Sequence, residues 1–284
     1  MEPVAGNQEH WNVLAGAHAQ GTGRFYDTDA LASGADPLWE AERAALARVA
    51  PDGVAGLDVL HHQCHLAGDA IQFARNGARV TGLDFSPVAL TTAAARAARC
   101  GVEVRFVQAD AAAPPAELDG AFDLVWATIG VTCWALDLDR WTAAAARMLR
   151  PGGRLVLVEI HPAYNMLDSV DPPVADLAWG GGVRESFEGA SSYDNPGVAI
   201  RPTSGTVAAW GMGDHVSAAV RAGLLVEHLD EHLECEHDPR GVLARETDGR
   251  YRLRLGPGQP PLPILFTLIA AKAATNEPGR RSYR

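Results

Sequence analysis

The sequence lacks any apolar run long enough to cross a bilayer, and it has no charged-then-apolar leader. The expectation is a cytoplasmic protein with no membrane partner. Cysteine is scarce: Cys64, Cys100, Cys133 and Cys235 are scattered with no pairing pattern, which excludes a disulfide scaffold. Positive charge is short as well, with 24 Lys and Arg against 35 Asp and Glu and a net charge of −11. A surface that acidic repels phosphate backbones, so no nucleic acid is expected as substrate or partner. There is no internal repeat. What remains is a 284-residue chain, 47% hydrophobic, enough for one large domain or a core with a lid.

Glycine is missing where a nucleotide-binding loop needs it most. From Gly56 to Ser86 the chain reads as a strand, a turn, a helix ending at Asn76-Gly77, and a second apolar strand ending on Asp84. That is the opening unit of a nucleotide-binding sheet, and Asp84 falls roughly 20 residues past the turn, where such folds place the acid for ribose hydroxyls. A dinucleotide pyrophosphate needs close backbone approach and a turn rich in glycine. Here Gln63, Cys64 and His65 fill the early turn and only Gly68 remains. A ligand without phosphates, such as S-adenosylmethionine, is the better match.

The rest of the chain continues the alternation. Residues 1–34 are mixed and aromatic-bearing, and Asp36 to Val49 reads as a helix, so residues 1–50 are expected to form an N-terminal helical cap. Ser86-Pro87 starts a helix that Gly101 ends. Further strands are expected at Glu103 to Gln108, Phe122 to Ala127 and Arg154 to Glu159, with a helix from Asp139 to Leu149. Residues 163–213 break the pattern, being rich in Gly, Pro, Asp and Ser, and read as a lid insert over the core. A helix from Asp214 to Ala222 and strands at Leu224 to Leu233 and Pro263 to Ala271 complete the core over 214–275. The basic tail from Asn276 is expected to fray. The fold class is α/β, with seven strands of which one is antiparallel.

By this point the motifs resemble class I S-adenosylmethionine-dependent methyltransferases. The resemblance is strongest to a subgroup whose first loop reads Gln-Cys-His-x-x-Gly-Asp, here Gln63 to Asp69. It runs on through Val80 to Pro87, Phe122 to Trp126, Cys133 to Trp141, Leu149 to Gly153 and Val158 to Pro162. It implies a Rossmann-like sheet over 51–162 and S-adenosylmethionine as cofactor. The loop of Gln63, Cys64, His65, Gly68 and Asp69 would face the methionine end, and Asp84 the ribose. Phe85 and Ser86 would lie by the adenine, whose amino group would meet Asp110 and the amide of Ala111. Thr128 and Ile129 would sit beside the sulfonium, with Tyr26 also at the cofactor. His62 and the Trp126-Ala127-Thr128 segment depart from the subgroup's pattern.

Methyl transfer is an in-line displacement, so holding the acceptor, methyl and sulfur in line supplies much of the acceleration. A hydroxyl acceptor must also lose a proton. The candidate bases are His161, just past the fifth strand, His215, at the start of the next helix, and Tyr26, with Tyr164 a further candidate. Two His/Cys clusters, His61 to His65 and His228 to His237, are read as a cofactor turn and a strand face, and no metal is expected. The Asn/Asp-Pro-Pro-aromatic motif used on exocyclic amines is absent after the fourth strand. A small, aromatic or heterocyclic acceptor follows, with the protein a monomer or homodimer. The rival readings are a methyltransferase fold recruited to a non-methylating or regulatory role, and a nicotinamide-dependent oxidoreductase.

Overall fold

The structure is a computed structural model that describes residues 3–20, 25–170, 172–194 and 199–274. The expected tail from Asn276 lies outside them. In chain order the elements begin with α1 (Pro3–His18), α2 (Thr28–Ala32), α3 (Glu40–Val49), β1 (Asp58–His62), α4 (Gly68–Arg75), β2 (Arg79–Asp84), α5 (Pro87–Arg99) and β3 (Arg105–Gln108). Next come β4 (Phe122–Thr128), α6 (Leu138–Met148), β5 (Leu149–Ile160) and α7 (Pro162–Asn165). They are followed by β6 (Leu167–Val170), β7 (Pro173–Ala175), β8 (Val183–Ser191), β9 (Ala199–Ala209), α8 (Met212–Arg221), β10 (Leu224–His232) and β11 (Leu265–Lys272).

Seven of the strands form one sheet in the order β3-β2-β1-β4-β5-β11-β10. β1 to β5 are parallel, and β11 runs antiparallel between β5 and β10, as the sequence predicts. Crossover helices cover both faces, so β4 and β11 are apolar along most of their length and almost wholly buried. Two clusters of buried side chains fill the two sides of the sheet, one around Phe73, Trp126 and Tyr164, the other around Trp141, Met148 and Phe266. The Ser86 signal acts as read, its hydroxyl accepting from Ala89 N–H, while α6 starts earlier than the expected Asp139, with Asp137 accepting from Arg140 N–H. At Gly82 on β2, a Cβ would stand 2.9 Å from Cys64 Sγ and 3.0 Å from the Phe106 ring, so the strand carries no side chain there.

Two expectations change. Residues 3–18 form a regular helix that the apolar periodicity does not show. Its buried positions, Gly6, Asn7, His10, Leu14, Ala15 and His18, have helical spacing, but three of the six are polar. The segment 163–213, expected as a lid insert, carries regular structure among its described residues. It holds α7, the β6–β7 hairpin and the longer β8–β9 hairpin, which packs on α1. Asn7 fastens the two, donating Nδ2 to Thr206 O at 2.8 Å and accepting from Thr206 N–H at 2.7 Å. Among the described residues, no helix is long and apolar enough to cross a membrane.

Candidate active site

The C-terminal ends of β1, β2 and β4 open into a cavity of about 700 Å³. The β1–α4 turn forms its floor. Gln63, His65 and Ala67 have φ of 63°, 45° and 58°, left-handed conformations at alternate positions where glycine is the usual occupant. The turn thus keeps a glycine-type path while carrying side chains. Those side chains are held: Gln63 Oε1 accepts from Trp141 Nε1 at 2.5 Å, and Gln63 Nε2 donates to Val131 O at 3.3 Å. His65 N–H donates to Asp84 Oδ2 at 2.9 Å, tying the turn to the end of β2.

Asp84 is 6% exposed and lines the cavity. Burial raises its carboxyl to about 6, against the pull of three backbone N–H groups. Two of these bonds come from the His65 and Ser86 N–H groups, each at 2.9 Å. Phe85 lines this cavity and a second one of about 410 Å³, whose walls include Gln8, Gln108 and Asp110. The two volumes flank one acidic strand end. That shape fits a nucleoside held at Asp84, with a base on the Asp110 side and a tail in the larger cavity.

The larger cavity has a charged end. Asp69 Oδ2 accepts from Trp126 Nε1 at 2.9 Å and from Thr128 Oγ1 at 2.8 Å. Beside it stands Glu42 of α3, 3% exposed, whose Oε2 takes the Trp39 N–H at 2.5 Å. Burial, and then Asp69, hold the Glu42 carboxyl well above the usual carboxylate range. The opposite wall is aromatic. His10 stacks on Trp134 with centroids 5.4 Å apart, edge-on to Trp11 and Phe187. His18 stacks on Tyr26 at 4.6 Å, and the Tyr26 and Tyr193 hydroxyls meet at 2.5 Å.

Of the sequence-predicted residues, Tyr26, Gln63, Cys64, His65, Gly68, Asp69, Asp84, Phe85, Thr128 and Ile129 line the larger cavity, and Asp110 the smaller. Four are placed elsewhere. Ser86 is fully buried, its hydroxyl donating to Asn12 Oδ1 at 2.7 Å, so it caps α5 and anchors α1. Ala111 gives its carbonyl to His62 Nε2 at 3.0 Å and does not line the second cavity. His161 is 3% exposed and outside the cavity. Its Nδ1 accepts from Ala163 N–H at 3.0 Å, so Nε2 carries the proton and donates to Glu231 at 2.8 Å. His215 is equally enclosed: Nδ1 lies 2.9 Å from Gly211 O and Nε2 3.2 Å from Thr132 Oγ1. Both rings brace the ends of the insert and have no nitrogen left for an acceptor. Tyr164, the further candidate, is fully buried and donates to Asp238 Oδ1 at 2.6 Å.

Sequence reasoning misses three residues. Glu42 looks like a solvated helix position. Glu159 accepts from the Gly130, Val131 and Thr132 N–H groups at 2.6 to 2.9 Å and shapes the cavity rim after β4. His10 lines the cavity and bonds Thr203 Oγ1 through Nδ1 at 2.7 Å. Burial lowers the proton affinity of the His10 ring and favours its neutral form. Among the described residues no group of three or more His, Cys, Asp or Glu could hold a metal ion.

Comparison with known proteins places this geometry. Residues 59–153 match the family described as methyltransferase domain. Demethylmenaquinone methyltransferase of Thermus thermophilus is 45% identical over 86 residues, covering 30% of this chain and 38% of that protein. An uncharacterized protein of Mycobacterium tuberculosis is 35% identical over 126 residues, covering 44% of this chain and 45% of its own. The chain thus spans less than half the length of these curated relatives. An S-adenosylmethionine dependent methyltransferase structure from Mesorhizobium loti superposes with a TM-score of 0.55 at 22% identity, covering 84% of this chain and 99% of that one. The chain has the seven-stranded Rossmann-like fold of these methyltransferases.

Proposed function

We propose that the protein is an enzyme that transfers a methyl group from S-adenosylmethionine to a small-molecule acceptor, aromatic or heterocyclic in character. The observation that carries this reading is the pair of cavities flanking Asp84 and Phe85 at the C-terminal edge of the parallel sheet, both residues lying in the segment that matches the methyltransferase domain family. The cofactor would supply a methyl group already activated by its sulfonium. The chain's own part is to bind, orient and exclude water. Asp84 accepts the ribose hydroxyls, Phe85 and Asp110 flank the adenine, and Thr128 and Ile129 border the reacting centre. The wall of His10, Trp11, Trp134 and Phe187 favours a flat acceptor. A relative named for demethylmenaquinone supports a small molecule as substrate. Where the acceptor is a hydroxyl or a neutral amine, His10 is the base the geometry favours over His161 and His215, because it alone of the three lines the larger cavity.

The test has two arms. Calorimetric titration should show S-adenosylhomocysteine binding and no binding of nicotinamide dinucleotides. Label from methyl-tritiated S-adenosylmethionine should then pass into organic-extractable product when the enzyme is given small-molecule extracts. Binding without any transfer would favour a non-methylating role, and dinucleotide binding in place of S-adenosylhomocysteine would refute the proposal.

A further inference from the structure

Glu42, Asp69 and Asp84 line the larger cavity, and among the described residues Arg240 is the only Lys or Arg that does. It lies between β10 and β11, outside residues 59–153. Its side chain is half-buried and fixed. Nη1 donates to Tyr164 O and Leu167 O, both at 2.6 Å, and the guanidinium carbon stands 5.1 Å from the centroid of the Tyr164 ring. The Arg240 N–H donates to Asp238 Oδ1 at 3.0 Å, so the backbone is held as well. Tying this segment to the insert uses Nη1 alone. Among the described residues, Nε and Nη2 make no hydrogen bond and the guanidinium pairs with no carboxylate. Asp238 does not serve, because its oxygens take the Tyr164 hydroxyl and the Arg240 and Leu243 N–H groups. Elsewhere in the chain the same edge grips an acid. Arg79 holds both oxygens of Asp58 through Nε at 2.6 Å and Nη2 at 2.8 Å, and Arg154 uses Nε and Nη2 on Glu227.

We propose that Arg240 is a specificity-determining residue that holds a carboxylate of the acceptor, and that the acceptor is therefore a flat aromatic or heterocyclic acid. This rests on the reading of the cavity as a methyltransferase site and names the class of its acceptor. The chemistry is matched: a carboxylate offers two oxygens to the paired N–H groups of Nε and Nη2, and a guanidinium already fixed by two carbonyls loses little freedom on binding. The surroundings are matched too. Earlier in the same segment the His237 ring lies 5.2 Å from Trp39 and 6.0 Å from Phe25, so cavity-lining aromatic rings flank the segment that carries the cation. Glu42, Asp69 and Asp84 repel a carboxylate from the rest of the wall, so an acid is accepted one way round. The cofactor also carries a carboxylate. Arg240, however, is fixed to α7 and β6 of the insert and not to the β1–α4 turn, so the carboxylate assigned to it is the acceptor's.

The experiment is calorimetry on the protein saturated with S-adenosylhomocysteine, with 2-naphthoate and its neutral isostere 2-naphthamide as probes. Wild type should bind the acid about tenfold or more tighter than the amide, a comparison that does not depend on any variant folding. Arg240→Gln, with its fold checked by circular dichroism, should lose that preference and keep its affinity for S-adenosylhomocysteine. Equal affinity of wild type for the two probes, binding of neither, or a preference that persists in folded Arg240→Gln would each overturn the assignment. Weakened S-adenosylhomocysteine binding in folded Arg240→Gln would give the guanidinium to the cofactor's carboxylate and overturn it too. Failure of wild type to bind S-adenosylhomocysteine would instead overturn the cofactor reading on which it rests.

Discussion

Replacing Asp84 separates the cofactor account from a merely structural one, because this carboxylate has both jobs. In the free protein Oδ2 holds His65 N–H at 2.9 Å and Oδ1 holds Ser86 N–H at 2.9 Å. The carboxylate lines the larger cavity, where ribose hydroxyls would donate. Asp84→Asn keeps one acceptor oxygen and presents an NH₂ group to the second donor. Hydrogen bonds to a charged group contribute about 1.5–3 kcal/mol each, so S-adenosylhomocysteine affinity should fall about tenfold or more. The pH dependence provides the second test. Burial sets the Asp84 carboxyl at about 6. The ionised form, which accepts both hydroxyls, is about one-tenth of the population at pH 5 and about nine-tenths at pH 7. Wild-type affinity should therefore rise about tenfold across that interval, and Asp84→Asn should lose this dependence. The assay is calorimetry at several pH values, with circular dichroism to confirm folding. Wild-type affinity that is flat from pH 5 to 7, or a folded Asp84→Asn variant that binds as well as wild type, would refute the reasoning.

Three further outcomes follow from the same contacts. His161→Gln should bind S-adenosylhomocysteine normally and keep most of its turnover while melting a few degrees lower, because the ring braces Ala163 and Glu231; a 10²-fold loss of turnover without a change in melting would restore it as a base. Amides of the β8–β9 hairpin should resist hydrogen exchange in the ligand-free protein, and Asn7→Ala should speed exchange across 199–209; rapid exchange throughout the hairpin in wild type would contradict its docking on α1. The Asp58 carboxyl is lowered to about 2, first by Arg79 and also by Arg150. A lowered acid stabilises the fold above its ordinary value near 4 and loses that contribution as pH falls through about 2. Asp58→Asn should therefore be less stable than wild type at pH 7 by chemical denaturation and match it near pH 2; a gap that persists there would show that the effect is not ionic.

The sheet was legible because buried parallel strands leave continuous apolar runs punctuated by Gly, Pro and capping residues, as at Asn76-Gly77 and Ser86-Pro87. Asp84 was legible for a related reason: a carboxylate closing such a run is exceptional. The helix α1 was hidden because its inward face uses Asn7, His10 and His18 to bond the insert, so polarity and burial coincide. The β8–β9 hairpin was hidden by its Gly and Ser content, although Gly205 has a packing purpose: a Cβ there would lie 2.6 Å from the Phe187 ring. His161 and His215 misled because position past a strand end is visible in sequence, whereas the use of both ring nitrogens is not. Glu42 and His10 were missed for the opposite reason. Their chemistry depends on a cavity assembled from α1, α3, the β1–α4 turn and the insert, and no local pattern encodes that meeting.

The central claim is that one nucleoside ligand spans the two cavities beside Asp84. A crystal structure with S-adenosylhomocysteine measures this directly. The account predicts ribose hydroxyls on the Asp84 carboxylate, adenine between Phe85 and Asp110, the amino-acid end toward Asp69, and the sulfur near Thr128 facing the wall of Trp11 and Trp134. Density elsewhere in the fold, or a nucleoside bound with Asp84 making no contact to it, would contradict the account.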